Sequence, residues 1–308
     1  MPRTRSTQLF YHYFDTWIQD YKVNAVRPVT LEKYALSLRW VTKLAPDLRL
    51  CDITRRSYQQ LINAYAVEHE RQTVMDFHHQ IKGAVLDALD EGLIKQNPTR
   101  KIVIKGRHPR EKHPKFLNQS DVQQLIKQLR LEPGINWDWM LLLVVKTGLR
   151  FGEALGLTPQ DFDFLHQQLT VNKTWNYRSP TGGFQPTKNP SSVRKVQIDW
   201  QIGMQFSQLI KDLPVDEPIF VHGRVYNSTA NKLLKRRCEA AGIPIITVHG
   251  LRHTHASLLL YGGVSIASVA RRLGHANMAT TQDTYLHIIR ELEAKDGEKI
   301  MREMSLLV

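Results

Sequence analysis

Apolar side chains recur at helical spacing through the first ninety residues. Phe10, Phe14, Trp17, Ile18 and Tyr21 form one stripe, as a helix with a single buried face requires. Beyond the break at Arg27-Pro28, Thr30 is placed to cap a second helix carrying Tyr34, Leu38 and Val41. Leu61 and Tyr65 mark a third helix, and Val74, Phe77, Ile81, Val85 and Leu89 a fourth that ends at Gly92. Such helices can bury their stripes only against one another, so residues 1–99 read as a separate all-α bundle.

From residue 116 the pattern is mixed. Val122, Leu125, Ile126 and Leu129 predict one helix, Trp139 to Thr147 a buried one stopping at Gly148, and Phe151 the start of another. Leu169–Trp175, Val193–Ile198 and Ile219–Val221 read as strands. Ser179-Pro180-Thr181-Gly182-Gly183 is turn chemistry that would join the first two strands in a hairpin. Helices resume at Asn227–Ala241, His253–Tyr261 and Ile266–Leu273. Residues 116–308 therefore read as a mainly α domain with a small β-sheet or hairpin (α+β), with a charged tail from about 288. Between the two parts, residues 100–115 read as a basic linker. Arg100, Lys101, Lys105, Arg107, Arg110, Lys112 and Lys115 face only Glu111, and prolines break the stretch. It can be a solvated connector or can follow a phosphate backbone.

Composition narrows the class. Apolar residues are 42% and charged residues 23% of 308, a globular mix. Forty-two Lys and Arg stand against 29 Asp and Glu, a net charge of +13, which points to nucleic acid as the partner. Both parts are basic, so charge alone does not single out one binding half. Two cysteines, Cys51 and Cys238, exclude a disulfide framework and a four-thiolate zinc site. The apolar run Trp139–Val145 is far short of the roughly 20 residues of a membrane span. The N-terminus has no apolar signal core. The expectation is a cytoplasmic protein with no membrane association.

Three segments place chargeable groups at the ends of elements. In Thr147-Gly148-Leu149-Arg150-Phe151-Gly152-Glu153, an arginine sits among apolar residues, where it must pair with a carboxylate or grip an anion. Glu153 is the near carboxylate. In His249-Gly250-Leu251-Arg252-His253-Thr254-His255, His249 and Arg252 can point into one anion-binding place at a helix start. The third segment is Leu273-Gly274-His275, followed by Tyr285. His249, His253, His255 and His275 also invite a zinc reading. The glutamate that should follow the first histidine of such a pair is Gly250 here, which argues against a metal.

Taken in order, Arg150, His249-Gly250-Leu251-Arg252-His253, Leu273-Gly274-His275 and Tyr285 resemble the tyrosine recombinases, the phage integrase family. About a hundred residues separate Arg150 from His249, and steps of 3, 23 and 10 residues follow. The resemblance covers nearly the whole chain: the N-terminal bundle is similar to that family's core-binding domain, and residues from 116 to its catalytic domain. It implies a site-specific DNA recombinase, from a prophage or other mobile element, with Arg150, Lys188, His249, Arg252, His275 and Tyr285 catalytic and Glu153 supporting. Lys188 is selected by Thr187-Lys188-Asn189-Pro190-Ser191-Ser192-Val193-Arg194; Lys173 and Lys195 compete with it.

The resemblance further implies double-stranded DNA as substrate, a 3′-phosphotyrosyl intermediate, and a homo-tetramer on DNA (a monomer when free) exchanging strands through a Holliday junction. A directionality factor can join it, and no cofactor or metal is called for. The tail would dock on a neighbouring protomer, with docking on its own domain the alternative. About 30 residues precede Thr30, so a separate arm-binding domain is not expected. Arg55, Arg56 and Lys82 are candidate phosphate contacts in the bundle. The alternatives are a type IB topoisomerase and a catalytically idle, DNA-binding recombinase relic; a metal-dependent nuclease, the remaining class, would lose activity in chelator.

Overall fold

The computed structural model describes residues 7–108, 114–285, 301 and 304–306. The tail from about 288 lies, apart from 301 and 304–306, outside the described residues, as do Arg110 and Lys112 of the basic stretch. The chain divides into two compact units, Met1–Lys112 and His113–Val308.

The first unit contains α1 (Phe10–Tyr21), α2 (Pro28–Leu44), α3 (Arg55–Ala66) and α4 (Arg71–Asp90). The α1 stripe is buried as expected through Phe10, Phe14, Trp17 and Ile18, whereas Tyr21 lies outside the core and is exposed. Helix α2 begins two residues ahead of Thr30, with Pro28 in its first turn. There the ring fixes φ, and the missing N–H has no intrahelical partner to lose, so the proline starts the helix and Thr30 lies within it. Thr54 and Ser57 close α3 with a reciprocal capping box. Past residue 99 the basic stretch is laid against this unit. The side chain of Gln59 accepts from the Val103 N–H (2.9 Å) and donates to its carbonyl (2.8 Å), and Ile102 and Ile104 pack on the core. Exposure alternates from Lys101 to Lys105, so a strand-like pattern inside the charge run holds it down while the lysines face water.

In the second unit, α5 (Gln119–Gln128) leads to α6 (Trp137–Thr147), which is buried along most of its length, as its apolar run dictates. After α7 (Phe151–Leu155) come β1 (Phe162–Asp163), β2 (Gln168–Val171), β3 (Lys173–Trp175), β4 (Phe184–Pro186) and β5 (Arg194–Gln197). Strands β1, β2 and β5 form one antiparallel sheet, with Leu169 opposite Val196. Strands β3 and β4 form a separate hairpin. The expected pairing of Leu169–Trp175 with Val193–Ile198 holds for β2 and β5 and is corrected for the remainder. The single strand Leu169–Trp175 divides at Asn172, the Ser179–Gly183 turn leads into β4, and β5 returns to β2. Ile219–Val221 is not a strand. Ile219 and Phe220 are buried, so the apolar run serves core packing without a ladder.

Helices α8 (Trp200–Leu209), α9 (Asn227–Ala241), α10 (Val248–Tyr261) and α11 (Ile266–Leu273) complete the unit. Helix α10 starts five residues before the expected His253, because Thr247 caps it by accepting from the Gly250 N–H at 3.1 Å. Leu260, Val269, Leu273 and Tyr285 form a small core of their own. Among the described residues no helix is long and apolar enough to cross a membrane.

Candidate active site

Two helix ends supply the frame. Gly148 ends α6 in the left-handed region (φ 71°), and a Cβ there would stand 2.6 Å from the His255 ring, so the position requires glycine. The chain then turns so that Arg150 precedes α7 and Glu153 lies on its first turn. Glu153 accepts from the Arg150 N–H (3.0 Å) and from Arg150 Nη1 (2.7 Å). Arg150 Nη2 donates to the Gly274 carbonyl at 3.0 Å, and Nη1 to Ser192 Oγ at 3.2 Å. Arg252, from α10, donates to the carbonyls of Gly148 (2.7 Å) and Leu273 (2.6 Å). Carbonyls left over at the C-termini of α6 and α11 thus fix both guanidiniums.

A third arginine completes the cluster. Arg194 on β5 donates through Nη2 to Glu153 at 2.9 Å and through Nε to the Arg272 carbonyl at 2.6 Å. Glu153, only 1% exposed, is the shared counter-ion. Burial alone would raise its carboxyl, but Arg194, Arg150 and Arg252 outweigh that and hold it below the usual range. Burial and the charge of Arg150 lower Arg252 to about 9, leaving it charged at neutral pH. Three guanidiniums around one carboxylate leave uncompensated positive charge in a poorly hydrated place, a receptor for an anion.

His249, His275 and Tyr285 gather around this cluster. His249 lies on the first turn of α10, its pKa lowered by burial and by Arg252 and Arg150. His275 follows Gly274, with Nδ1 2.7 Å from Thr281 Oγ1, and burial and the surrounding arginines take it down to about 4. Tyr285 is 2% exposed, and burial pushes its phenol up to about 12 against the opposing pull of Arg252. Its hydroxyl lies 2.9 Å from Nδ1 of His253. His249, one turn back along α10, stacks edge-on against His253 with ring centres 4.7 Å apart.

A family model described as the phage integrase family matches residues 115–291. The chain belongs to the phage integrase family. It is thus a tyrosine recombinase, an enzyme of DNA strand cleavage and rejoining. Its relatives include the "Tyrosine recombinase XerC-like" protein of Caldanaerobacter subterraneus subsp. tengcongensis, 27% identical over 89% of this chain and 78% of that protein. The integrase of Staphylococcus phage L54a is 25% identical over 96% and 93% of the two chains. Among solved structures, the Tn1549 transposon integrase in complex with a circular intermediate DNA superposes with a TM-score of 0.76. It is 16% identical and matches 90% of this chain and 95% of that one. A lambda integrase tetramer bound to a Holliday junction gives 0.64 at 18% identity, over 88% and 78%. These likenesses show the fold: a helical N-terminal part and a mixed part with small antiparallel sheets.

Against this family's lysine, the three candidates separate. Lys173 on β3 is ion-paired with the buried Asp161 and lies 3.3 Å from Thr158 Oγ1. Lys195 is exposed on β5, in the register opposite Thr170. Lys188 is exposed in the loop between β4 and β5, next to the buried Thr187. His255, weighed above as a metal ligand, is engaged on both nitrogens, by the Val145 carbonyl at 2.8 Å and by Arg272 Nε at 2.9 Å. In the helical unit, Arg55 donates to the Lys101 carbonyl at 3.1 Å, a bond that ties down the basic stretch. Two side chains were given no role from sequence. Arg194 is the end of the lysine motif, and His253 stands in the ordered motif and among the metal-ligand candidates without a catalytic part.

Proposed function

We propose that this recombinase cleaves and rejoins double-stranded DNA at specific sites, with Tyr285 as nucleophile and the Arg150–Arg252 cluster as the phosphate receptor. The observation that carries the reading is the uncompensated charge of that cluster, fixed by backbone carbonyls, beside a buried tyrosine. Attack on a phosphodiester adds negative charge to its non-bridging oxygens. Guanidiniums already held by Gly148, Leu273 and Gly274 meet that charge without reorganising, and removing one such donor typically costs about 100- to 1,000-fold in rate.

As the Tyr285 oxygen bonds to phosphorus, the bond to the 5′ oxygen breaks and that oxygen takes a proton from Lys188. The products are a 3′-phosphotyrosyl ester and a free 5′-hydroxyl. The ester retains the bond energy, so a second 5′-hydroxyl can reverse the step with neither ATP nor a metal. His275 suits a hydrogen-bond role. It is neutral at pH 7, and if Thr281 donates to Nδ1 the proton lies on Nε2, free to bind a phosphate oxygen. His249, in the same buried charge field, would contact the phosphate or relay the tyrosine proton.

In this reading residues 1–99 form the core-binding domain, 100–115 a phosphate-following connection and 116–308 the catalytic domain. Protomers assemble as a tetramer on two duplexes and exchange strands through a Holliday junction, in the cytoplasm, with a directionality factor setting integration against excision. The tail from about 288 docks on a neighbouring protomer; deleting residues 300–308 should then reduce recombination more than DNA binding. The test of the chemistry is covalent trapping on nicked duplexes in chelator. Wild-type protein should give an SDS-resistant adduct, and Tyr285→Phe should bind the same DNA without one. Binding with no adduct from either protein would favour the idle relic, and an adduct from Tyr285→Phe would mean another nucleophile.

A further inference from the structure

We infer that His253, rather than His249, is the group that holds the Tyr285 hydroxyl for attack and accepts its proton. This rests on Tyr285 being the nucleophile. The hydrogen bond at 2.9 Å joins the reacting oxygen to Nδ1 of His253, and the two rings meet edge to face with centres 5.8 Å apart. His249 touches His253 and so acts one step removed.

The direction of the hydrogen bond follows from the surroundings. With its phenol pushed up to about 12, Tyr285 keeps its proton at neutral pH and is the donor. Burial, reinforced by His249, Arg252 and Lys115, lowers His253 to about 4, so the ring is neutral. Its Nδ1 therefore offers a lone pair and Nε2 carries the proton. The tyrosine ring is set by Leu260, Val269 and Leu273, and its oxygen is aimed by the one hydrogen bond it donates to His253, a side chain on the same helix as Arg252.

Free of substrate, this pair is poorly matched for proton transfer. The mismatch closes as the reaction proceeds: the Tyr285 proton becomes acidic as its oxygen bonds to phosphorus, while phosphate charge lying against Arg252 relieves one of the charges that hold His253 down. In the step itself, the O–H bond of Tyr285 breaks as its oxygen bonds to phosphorus, and the proton passes to Nδ1. His253 becomes an imidazolium, and the departing 5′ oxygen is protonated separately by Lys188. Rejoining returns the proton from Nδ1 to the tyrosine oxygen, so atoms and charge balance over the cycle.

The experiment is single-turnover adduct formation on a nicked duplex by full-length wild type, His253→Ala, His253→Asn and Tyr285→Phe, each with its DNA retention and melting curve. His253→Ala should bind DNA normally and form adduct about 100-fold more slowly, the usual scale of a lost general base. Imidazole added to the buffer should recover at least about tenfold of that rate, while pyrrole, the same size without a basic nitrogen, should not. His253→Asn keeps an acceptor close to where Nδ1 stood and is the variant to use if alanine fails to fold. Lacking a base, it too should remain at least about tenfold slow.

Wild-type or faster adduct formation by either variant overturns the inference, and so does equal rescue by imidazole and pyrrole. These outcomes are distinct from failure of the nucleophile assignment, which shows as an adduct in Tyr285→Phe.

Discussion

Replacing Glu153 with glutamine tests the central claim about the site, that one buried carboxylate holds three cations together. The substitution keeps the shape and removes the charge. Oε1 accepts from Arg150 Nη1, while Oε2 accepts from the Arg150 N–H and from Arg194 Nη2. Either orientation of a glutamine amide turns its NH2 toward donors, so at least one charged hydrogen bond is lost and one donor pair is opposed. Arg252, 3% exposed and 4.0 Å from Glu153, loses its only counter-charge among the described residues.

Leaving buried charge uncompensated typically costs about 3–5 kcal/mol. At roughly 2–4 °C per kcal/mol for a unit of this size, the melting transition should fall by about 6–20 °C. Calorimetry with a parallel urea titration reads both quantities. Inorganic phosphate should stabilise Glu153→Gln more than wild type, because the excess charge has grown by one. A variant within about 1 kcal/mol of wild type, with the same phosphate response, would refute the idea of a shared counter-ion.

Further outcomes follow from the same geometry. Gly148→Ala forces a left-handed residue against the rings and methyls of His255 and Leu273, at 2.6 and 2.9 Å, and should cost about 1–3 kcal/mol in urea denaturation. Lys188→Ala should slow cleavage about 100-fold and be restored when sulfur replaces the 5′ oxygen, since a thiolate leaves without a proton. Lys173→Ala should instead lower the melting temperature, because it strands Asp161 in the core. Burial holds His253 and His275 down to about 4 and His255 to about 3, so the folded state keeps them neutral while the unfolded chain protonates near 6.5. Their contribution is intact above pH 6.5 and is lost as pH falls toward 4, at up to ~1.4 kcal/mol per pH unit for each histidine; urea midpoints measured from pH 7 to 5 should decline accordingly, and flat midpoints would contradict the burial of these rings.

The helices that carry strong apolar stripes were legible because their burial is one-sided or complete: α1, α4, α6 and α11 lie close to where periodicity puts them. What escaped had no such signal. Strand β4 is three exposed residues ending in a proline, too short to alternate, so nothing in its sequence marks it as the partner of β3. Helix α8 mixes glutamines and a glycine with exposed Trp200 and Met204, and its clearest sign was Asp199, a capping side chain. The residues of the site were readable as an ordered pattern, but their connections were not. Nothing local in Ser191-Ser192-Val193-Arg194 says that Arg194 reaches Glu153, 41 residues away. The spacing of His249 and His253 did show two imidazoles on one helical face; which of them meets Tyr285 depends on the path of the chain after Gly274.

The anchoring of both arginines to helix-terminal carbonyls has a kinetic consequence. Leu273 and Gly274 are neighbours, yet they hold Arg252 and Arg150 respectively. Fraying of the last turn of α11 would strip one anchor from each guanidinium in a single event, leaving Arg252 on Gly148 and Arg150 on Glu153 and Ser192. Such local openings lie well below the global unfolding free energy. On warming, the enzyme would fall silent abruptly while most of its backbone amides stayed protected from exchange, and it would recover on cooling as that single turn rewound.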